Sequence, residues 1–274
     1  MDDFHLFTSI RYDPALLQIP ELGFAGTGWN QHPSPFYMLD LHRDRMLRAA
    51  TYWDWPAAVA AVAGEQGLDA LHTFLRAITR DVGNSPQRIK ITLAADGSLG
   101  HQISPLAETR VGNLFPEYLP APDPEDSARP AEARAPVRHP VYEIVVDSRE
   151  TARSEFTHYK TTSRGMYDDA RKRARIALGD KREVLLVNHD GHIMEGSIST
   201  PYFWRDGKWV TPPVPKQFLA SRGSGGNDGT TRRWALERNL VAEQVVAADS
   251  LVDGEECWIS NGLLGFALGK PGKT

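Results

Sequence analysis

Near the amino terminus the residues after Gln87 alternate in character, Ile89, Ile91 and Leu93 against Lys90 and Thr92. A two-residue period predicts a half-buried strand over residues 88–94, closed by the turn pair Asp96-Gly97. A second short strand is expected over residues 6–12. Between the two, helices are predicted at residues 38–52, at 55–64, and at 70–82 with Gly67 to Asp69 as the entry of the last. Beyond residue 140 the pattern becomes strand-rich. Strands are expected at 141–146, 183–188, 193–194, 199–204, 208–211 and 257–260, with hairpin turns at Asp190-Gly191 and Asp206-Gly207. Two helices interrupt them. One covers residues 165–178, with Met166, Ala170, Ala174 and residues 176–178 on its buried stripe; the other covers residues 230–239, with Trp234 and Leu236 available to a core.

The two regions meet at residues 119–140, LPAPDPEDSARPAEARAPVRHP, where prolines and alternating charges crowd together and apolar periodicity disappears. This stretch reads as an interdomain linker. The expected organisation is therefore α+β in two unequal domains, residues 1–118 and 141–274, with no internal repeat. A chain of 274 residues and 30.4 kDa can bury a core without disulfides or metals. Thirty-one basic residues against 35 acidic ones, a formal net charge of -4, argue against a nucleic-acid partner. No apolar run approaches the roughly 20 residues of a membrane helix. The acidic opening MDDFHLF does not resemble a leader, and the single Cys257 fits a reducing compartment, so a soluble, cytoplasmic protein is expected. Neither HExxH nor a paired Cys/His spacing occurs, so no metal site is expected.

Four segments could carry chemistry. Phe156 to Arg164 places Lys160 among small hydroxylated residues directly before a helix, where an amine could be kept partly neutral, although most lysines in such turns stay in water. Thirty-five positions later Glu195 interrupts an apolar hairpin, as an exposed hairpin residue or as the partner of a buried cation or donor. Ser224 to Arg233 is a glycine-rich turn running into a helix at Thr230 and Thr231. It suits a phosphate, though it has neither Walker nor GxGxxG spacing, and a flexible loop with a threonine cap would look the same. Finally, residues 260–265, Ser-Asn-Gly-Leu-Leu-Gly, form a small polar turn after a strand.

In order and spacing these segments, with His42-Arg43-Asp44-Arg45-Met46 ahead of them, resemble the class IV aminotransferase family, the fold type IV enzymes that use pyridoxal 5'-phosphate. The resemblance spans nearly the whole chain. It implies a fold like that of D-amino acid aminotransferase, with a small α/β domain followed by a larger strand-rich one, and a homodimer acting on a small amino compound. Residue by residue it implies Lys160 as the Schiff-base lysine and Glu195 as the partner of the pyridine nitrogen. Arg45, Thr230, Thr231 and the backbone of Gly262 would hold the phosphate, and Arg164 would reach the phenolic oxygen. Arg88, Lys90 and Thr200 are candidates for the substrate pocket. The departures are Thr8 in Phe7-Thr8-Ser9-Ile10-Arg11 where the family has glutamate, Ser163 where it has asparagine, and Thr200 where the hairpin has asparagine. They bear on substrate choice more than on the cofactor. The Lys-x-x-x-Arg pattern at Lys160 and Arg164, the start of the chain close to the first strand, and the lack of an evident extra basic residue for an α-carboxylate favour elimination of pyruvate from 4-amino-4-deoxychorismate. The alternatives are transamination of a branched-chain amino acid, D-amino acid or (R)-amine, and a degenerate cofactor-binding protein without catalysis.

Overall fold

The computed structural model of the chain describes residues 4–18, 33–122, 135–177 and 179–272. These fall into two compact units, Met1–Glu108 with Tyr159–Ser163, and Thr109–His158 with Arg164–Thr274. In the first, β1 (Leu6–Tyr12) is followed by a short 3-10 turn, α1 (Leu39–Tyr52), α2 (Pro56–Val62), α3 (Gly64–Ile78), β2 (Gln87–Leu93) and β3 (Leu99–Pro105). The strands form an antiparallel sheet in the order β1-β2-β3. Its register sets Thr8 opposite Ile91 and Ile10 opposite Ile89, so alternate residues of both strands share one face. On that face Leu6, Thr8, Ile10, Ile89, Ile91 and Leu93 are all buried, as are Met46, Ala49 and Ala50 of α1 and Leu71 and Leu75 of α3. Each large apolar side chain fully withdrawn from water contributes about 2 kcal/mol. The opposite face carries Phe7, Ser9 and Arg11 beside Arg88, Lys90 and Thr92.

Here the sequence expectations shift by a few residues. The third helix begins at Gly64 rather than near residue 70, because Gly67 lies inside it against α2: a β-carbon there would stand 2.2 Å from the Val62 carbonyl carbon. Only glycine lets the two backbones approach so closely. The strand β3, LGHQISP, has no apolar alternation and a largely exposed edge, and periodicity does not find it.

The second unit comprises α4 (Val111–Leu114), β4 (Tyr142–Glu150), α5 (Glu155–His158), α6 (Gly165–Arg173), β5 (Arg182–Val187), β6 (Ile193–Gly196), β7 (Thr200–Arg205), β8 (Lys208–Thr211), α7 (Thr230–Glu237), β9 (Ala242–Glu243), β10 (Cys257–Asn261) and β11 (Gly265–Pro271). Eight strands form one mixed sheet in the order β6-β5-β4-β11-β10-β7-β8-β9. Only residues 197–199 join β6 to β7, a link that reaches at most about 14 Å. Five strand spacings separate those strands in the sheet order, about 24 Å if the sheet were flat. The sheet must curl on itself, and the short link is what the curl brings into place. On β5, Val184 and Leu186 pack with Tyr167 and Ala170 of α6 and with Met194. Leu185 and Val187 point into a second core with Ile144, Phe203, Val210 and Ile259. A strand buried on both faces is expected where it runs parallel to its neighbour, as β5 does to β4.

The units divide between Glu108 and Thr109, ahead of the predicted linker. Asn113 explains the difference: its side-chain amide donates to the Phe266 carbonyl at 2.7 Å, so α4 belongs with the larger sheet. Of the linker itself, residues 123–134 lie outside the described residues, and 119–122 and 135–140 belong to the second unit. Helix α6 ends at Arg173, short of the predicted residue 178, because Arg175 turns left-handed (φ 54°) and Arg171 donates to the Ala177 carbonyl at 2.7 Å. Among the described residues no helix is long and apolar enough to cross a membrane.

Candidate active site

Lys160 lies between segments of the second unit in sequence, yet it packs with the first. The Phe7 amide donates to the Lys160 carbonyl at 3.0 Å, and Leu6 bridges to Thr161. The Thr162 amide donates to the His5 carbonyl at 2.9 Å, and the His5 amide returns a bond to the Thr162 hydroxyl. Residues 160–162 thus run as an added strand edge beside β1, which fixes the lysine backbone without a helix or turn of its own. The Lys160 ammonium stands 4.9 Å from the centroid of the Phe7 ring, and Lys90 of β2 approaches the same ring at 5.2 Å. Both amines therefore meet on one face of the small sheet. Arg88, two residues from Lys90 on that face, keeps a buried Nε with no hydrogen-bond partner among the described residues.

On the helix-covered face of the same unit, Arg45 and His42 of α1 converge on Thr8. The Arg45 guanidinium donates to the Thr8 hydroxyl, and that hydroxyl lies 2.6 Å from His42 Nδ1. Arg45 Nη2 also lies 3.3 Å from His42 Nδ1, so a cation faces the ring. Burial, the Arg45 charge and the Lys160 charge all hold the His42 pKa well below the ordinary value, which favours a neutral ring. His42 is thus part of a relay that orients Arg45, a role its position in the sequence does not reveal.

In the second unit Glu195 is buried on β6, not exposed on a hairpin. The Tyr167 phenol donates to Glu195 Oε1 at 2.6 Å, and the Arg164 guanidinium lies 4.3 Å over the Tyr167 ring. Arg164 also donates to the Ser197 carbonyl at 2.6 Å. The link of residues 197–199 closes over the buried carboxylate of Glu183. That group accepts from the amides of Ser197 and Ile198 and from the hydroxyls of Ser197 and Ser199, at 2.6 to 3.2 Å. Arg171 faces it at 4.0 Å. Gly196 is required here, because a β-carbon would come within 2.9 Å of the Glu183 carboxyl. Asn261 ties the turn bearing Gly262 to the same link, donating to the Ile198 carbonyl at 3.2 Å.

The glycine-rich turn packs directly on this strand. A β-carbon on Gly226 would stand 3.1 Å from that of Glu195, and one on Gly229 would stand 2.9 Å from the Thr200 hydroxyl. From this turn α7 starts at Thr230. The Thr230 hydroxyl is buried with no partner among the described residues, while Thr231 bonds Ser260 at 2.7 Å and Ser260 bonds Tyr202 at 2.7 Å. An unpartnered buried hydroxyl at the positive end of a helix is costly unless an anion completes it. The Asn227 amide donates to the His158 carbonyl at 2.7 Å, so the turn also holds the chain two residues before Lys160.

Within the second unit the structure therefore brings Glu195, Thr200, Thr230 and Thr231 together around one turn, with Arg164 and Gly262 anchored to the adjoining link. Within the first it brings Lys160 and Lys90 to one ring, with Arg88 on the same face and Arg45 on Thr8. Within the second unit, the helix end with a buried hydroxyl that has no partner among the described residues suits a phosphate, and the buried carboxylate suits a protonated ring nitrogen, as pyridoxal phosphate would require. Among the described residues no cluster of metal ligands occurs.

The family model for amino-transferase class IV matches residues 26–268, and the chain belongs to that family, whose members depend on pyridoxal phosphate. It is 32% identical over 141 residues, 47% of this chain, to aminodeoxychorismate lyase of Saccharomyces cerevisiae, the match covering 36% of that protein. A Schizosaccharomyces pombe protein provisionally named for the same activity is 28% identical over 125 residues, 44% of this chain and 51% of its own length. The matches thus span about a third and about half of these relatives. A crystal structure of a provisionally named amino-acid aminotransferase from Mesorhizobium loti superposes with a TM-score of 0.64 at 20% identity, covering 98% of this chain and 100% of that one, which establishes the shared fold.

Proposed function

We propose that the protein uses pyridoxal phosphate to eliminate pyruvate from 4-amino-4-deoxychorismate, leaving 4-aminobenzoate. The cofactor, when bound, supplies an electron-withdrawing ring that accepts the electron pair released at the substrate carbon bearing nitrogen. Lys160 provides the amine that anchors it and then takes the proton from that carbon. Glu195 holds a proton at the ring nitrogen. Thr230, Thr231 and Arg45 retain the phosphate, so they contribute positioning more than electron movement. As that proton leaves, the C–O bond to the enolpyruvyl group on the neighbouring carbon breaks, and the oxygen keeps the bonding pair. The proton removed by Lys160 returns to the departing enolpyruvate, and aromatisation drives the step.

The observation that carries the substrate reading is the face shared by Phe7, Lys160, Lys90 and Arg88. It pairs an apolar ring with Lys90 and Arg88, whose buried Nε has no partner among the described residues, and so suits a cyclic substrate bearing two carboxylates. The similarity to the yeast lyase supports the same reading. Purified protein loaded with the cofactor is expected to release pyruvate and 4-aminobenzoate in equal amounts, and Lys160→Ala to release neither. Ping-pong transfer of the amino group to an α-keto acid without pyruvate release would replace this proposal by transamination. Cofactor binding with no turnover of any amine would replace it by a degenerate binder.

A further inference from the structure

We propose that Tyr167 is a positioning residue for Glu195, donating its phenol proton so that the glutamate stays ionised and fixed in orientation. The inference rests on the cofactor reading above and assigns a part in it to a residue outside the motifs. Tyr167 sits two residues into α6, with its ring in the core formed by Val184, Leu186 and Met194. Packing of that kind needs only a large apolar side chain. The hydroxyl is what phenylalanine would lack, and it reaches Glu195 Oε1 at 2.6 Å, with the Thr157 carbonyl at 3.2 Å as its second neighbour. A hydroxyl has one proton, and the shorter, charge-assisted contact takes it.

The surroundings keep the donor protonated. Burial and the Glu195 carboxylate push the phenol well above its ordinary pKa, against a smaller opposing effect of Arg164. Arg164 cannot swing away freely, since it is held by the Ser197 carbonyl while lying over the ring. Other charged groups on the packed elements form pairs: Lys172 with Asp169 at 3.1 Å and Arg173 with Asp147 at 2.5 Å. Arg171 of α6 faces Glu183 of β5 at 4.0 Å, and Asp228 of the glycine-rich turn pairs with Arg232 at 3.0 Å. A closed path therefore runs from Glu195 through the phenol, the ring and Arg164 to Ser197, two residues beyond Glu195. It fixes the carboxylate from its side chain and from its backbone.

A hydrogen bond donated to a carboxylate favours its charged form, so losing the donor raises the glutamate pKa. Affinity for pyridoxal phosphate that depends on ionised Glu195 is then lost at a higher pH as the solution is acidified. The test measures the dissociation constant of pyridoxal phosphate by fluorescence quenching between pH 5 and 8. The proteins compared are the wild type, Tyr167→Phe, Glu195→Gln and the double variant. Tyr167→Phe is expected to weaken binding about tenfold near pH 6 and to move the acid limb upward. In the Glu195→Gln background the same change is expected to add nothing. Site-specific 3-fluorotyrosine at position 167, a more acidic phenol of nearly the same shape, is expected to move the limb downward, and it serves if Tyr167→Phe does not fold. Superimposable pH profiles, or an equal loss in both backgrounds, would overturn the role and leave Tyr167 as packing alone. A wild type that takes up no pyridoxal phosphate would instead contradict the proposed function, and this role with it.

Discussion

The two units use opposite means to prepare polar groups. In the first, cations contact hydroxyl and ring groups: Arg45 donates to Thr8 beside an uncharged His42, and Lys160 and Lys90 rest against the ring of Phe7. In the second the polar groups are buried acceptors and hydroxyls. Glu195 takes a phenol proton, Glu183 takes four donors from a three-residue link, and Thr230 keeps a hydroxyl in reserve. Several donors converging on a carboxylate hold it stationary, whereas an amine resting on a ring face is fixed only loosely. On the proposed reading, proton transfer belongs to the first unit, while charge stabilisation and cofactor retention belong mainly to the second.

That division can be broken most sharply at the amine. Lys160→Ala is expected to lower turnover at least about 10³-fold while pyridoxal phosphate still binds noncovalently. A stopped assay of pyruvate release beside equilibrium dialysis separates the two effects. Glu183→Gln attacks the scaffold of the second unit. Exchanging a carboxyl that only accepts for an amide that must also place its own N–H is expected to cost about 2 kcal/mol in urea unfolding. Thr230→Val keeps shape and removes the reserved hydroxyl, so the dissociation constant of pyridoxal phosphate is expected to rise about tenfold with kcat at saturation little changed. A fall in kcat without a change in affinity would show that Thr230 does not serve retention.

The smallest expected effect concerns His42. Its pKa in the fold lies below the ordinary value, so the unfolded chain takes up a proton first as pH falls. The stability held by neutral His42 is complete above about pH 6.5 and declines below it, by at most about 1.4 kcal/mol per pH unit until the folded pKa is reached. His42→Asn should flatten that slope between pH 7.5 and 5.5, measured by urea unfolding.

The strand β1 was legible in the sequence to its last residue, and β2 to within one, because Ile89, Ile91 and Leu93 alternate cleanly. The segment from Lys160 to Arg164 was legible as a motif because its spacing is local. By contrast β11, GFALGKP, carries two glycines and few large side chains, and its pairing with β4 is a parallel contact between distant parts of the chain. Tyr167 escaped for a related reason. As one aromatic residue on a helix it looks like core, and only the tertiary fold puts Glu195, 28 positions away, at its hydroxyl. Thr8, His42 and Arg45 likewise meet across 34 to 37 positions. The return of residues 159–163 to the first unit had no local signal, since it depends on backbone bonds from His5 and Phe7.

The most direct measurement is borohydride reduction of the purified protein after incubation with pyridoxal phosphate, followed by peptide mapping. A single reduced adduct on Lys160, absent from Lys160→Ala, is expected. Labelling of Lys90, which shares the Phe7 ring, in place of Lys160 would contradict the assignment of the amine, and a wild type that traps no cofactor would contradict the proposed chemistry altogether.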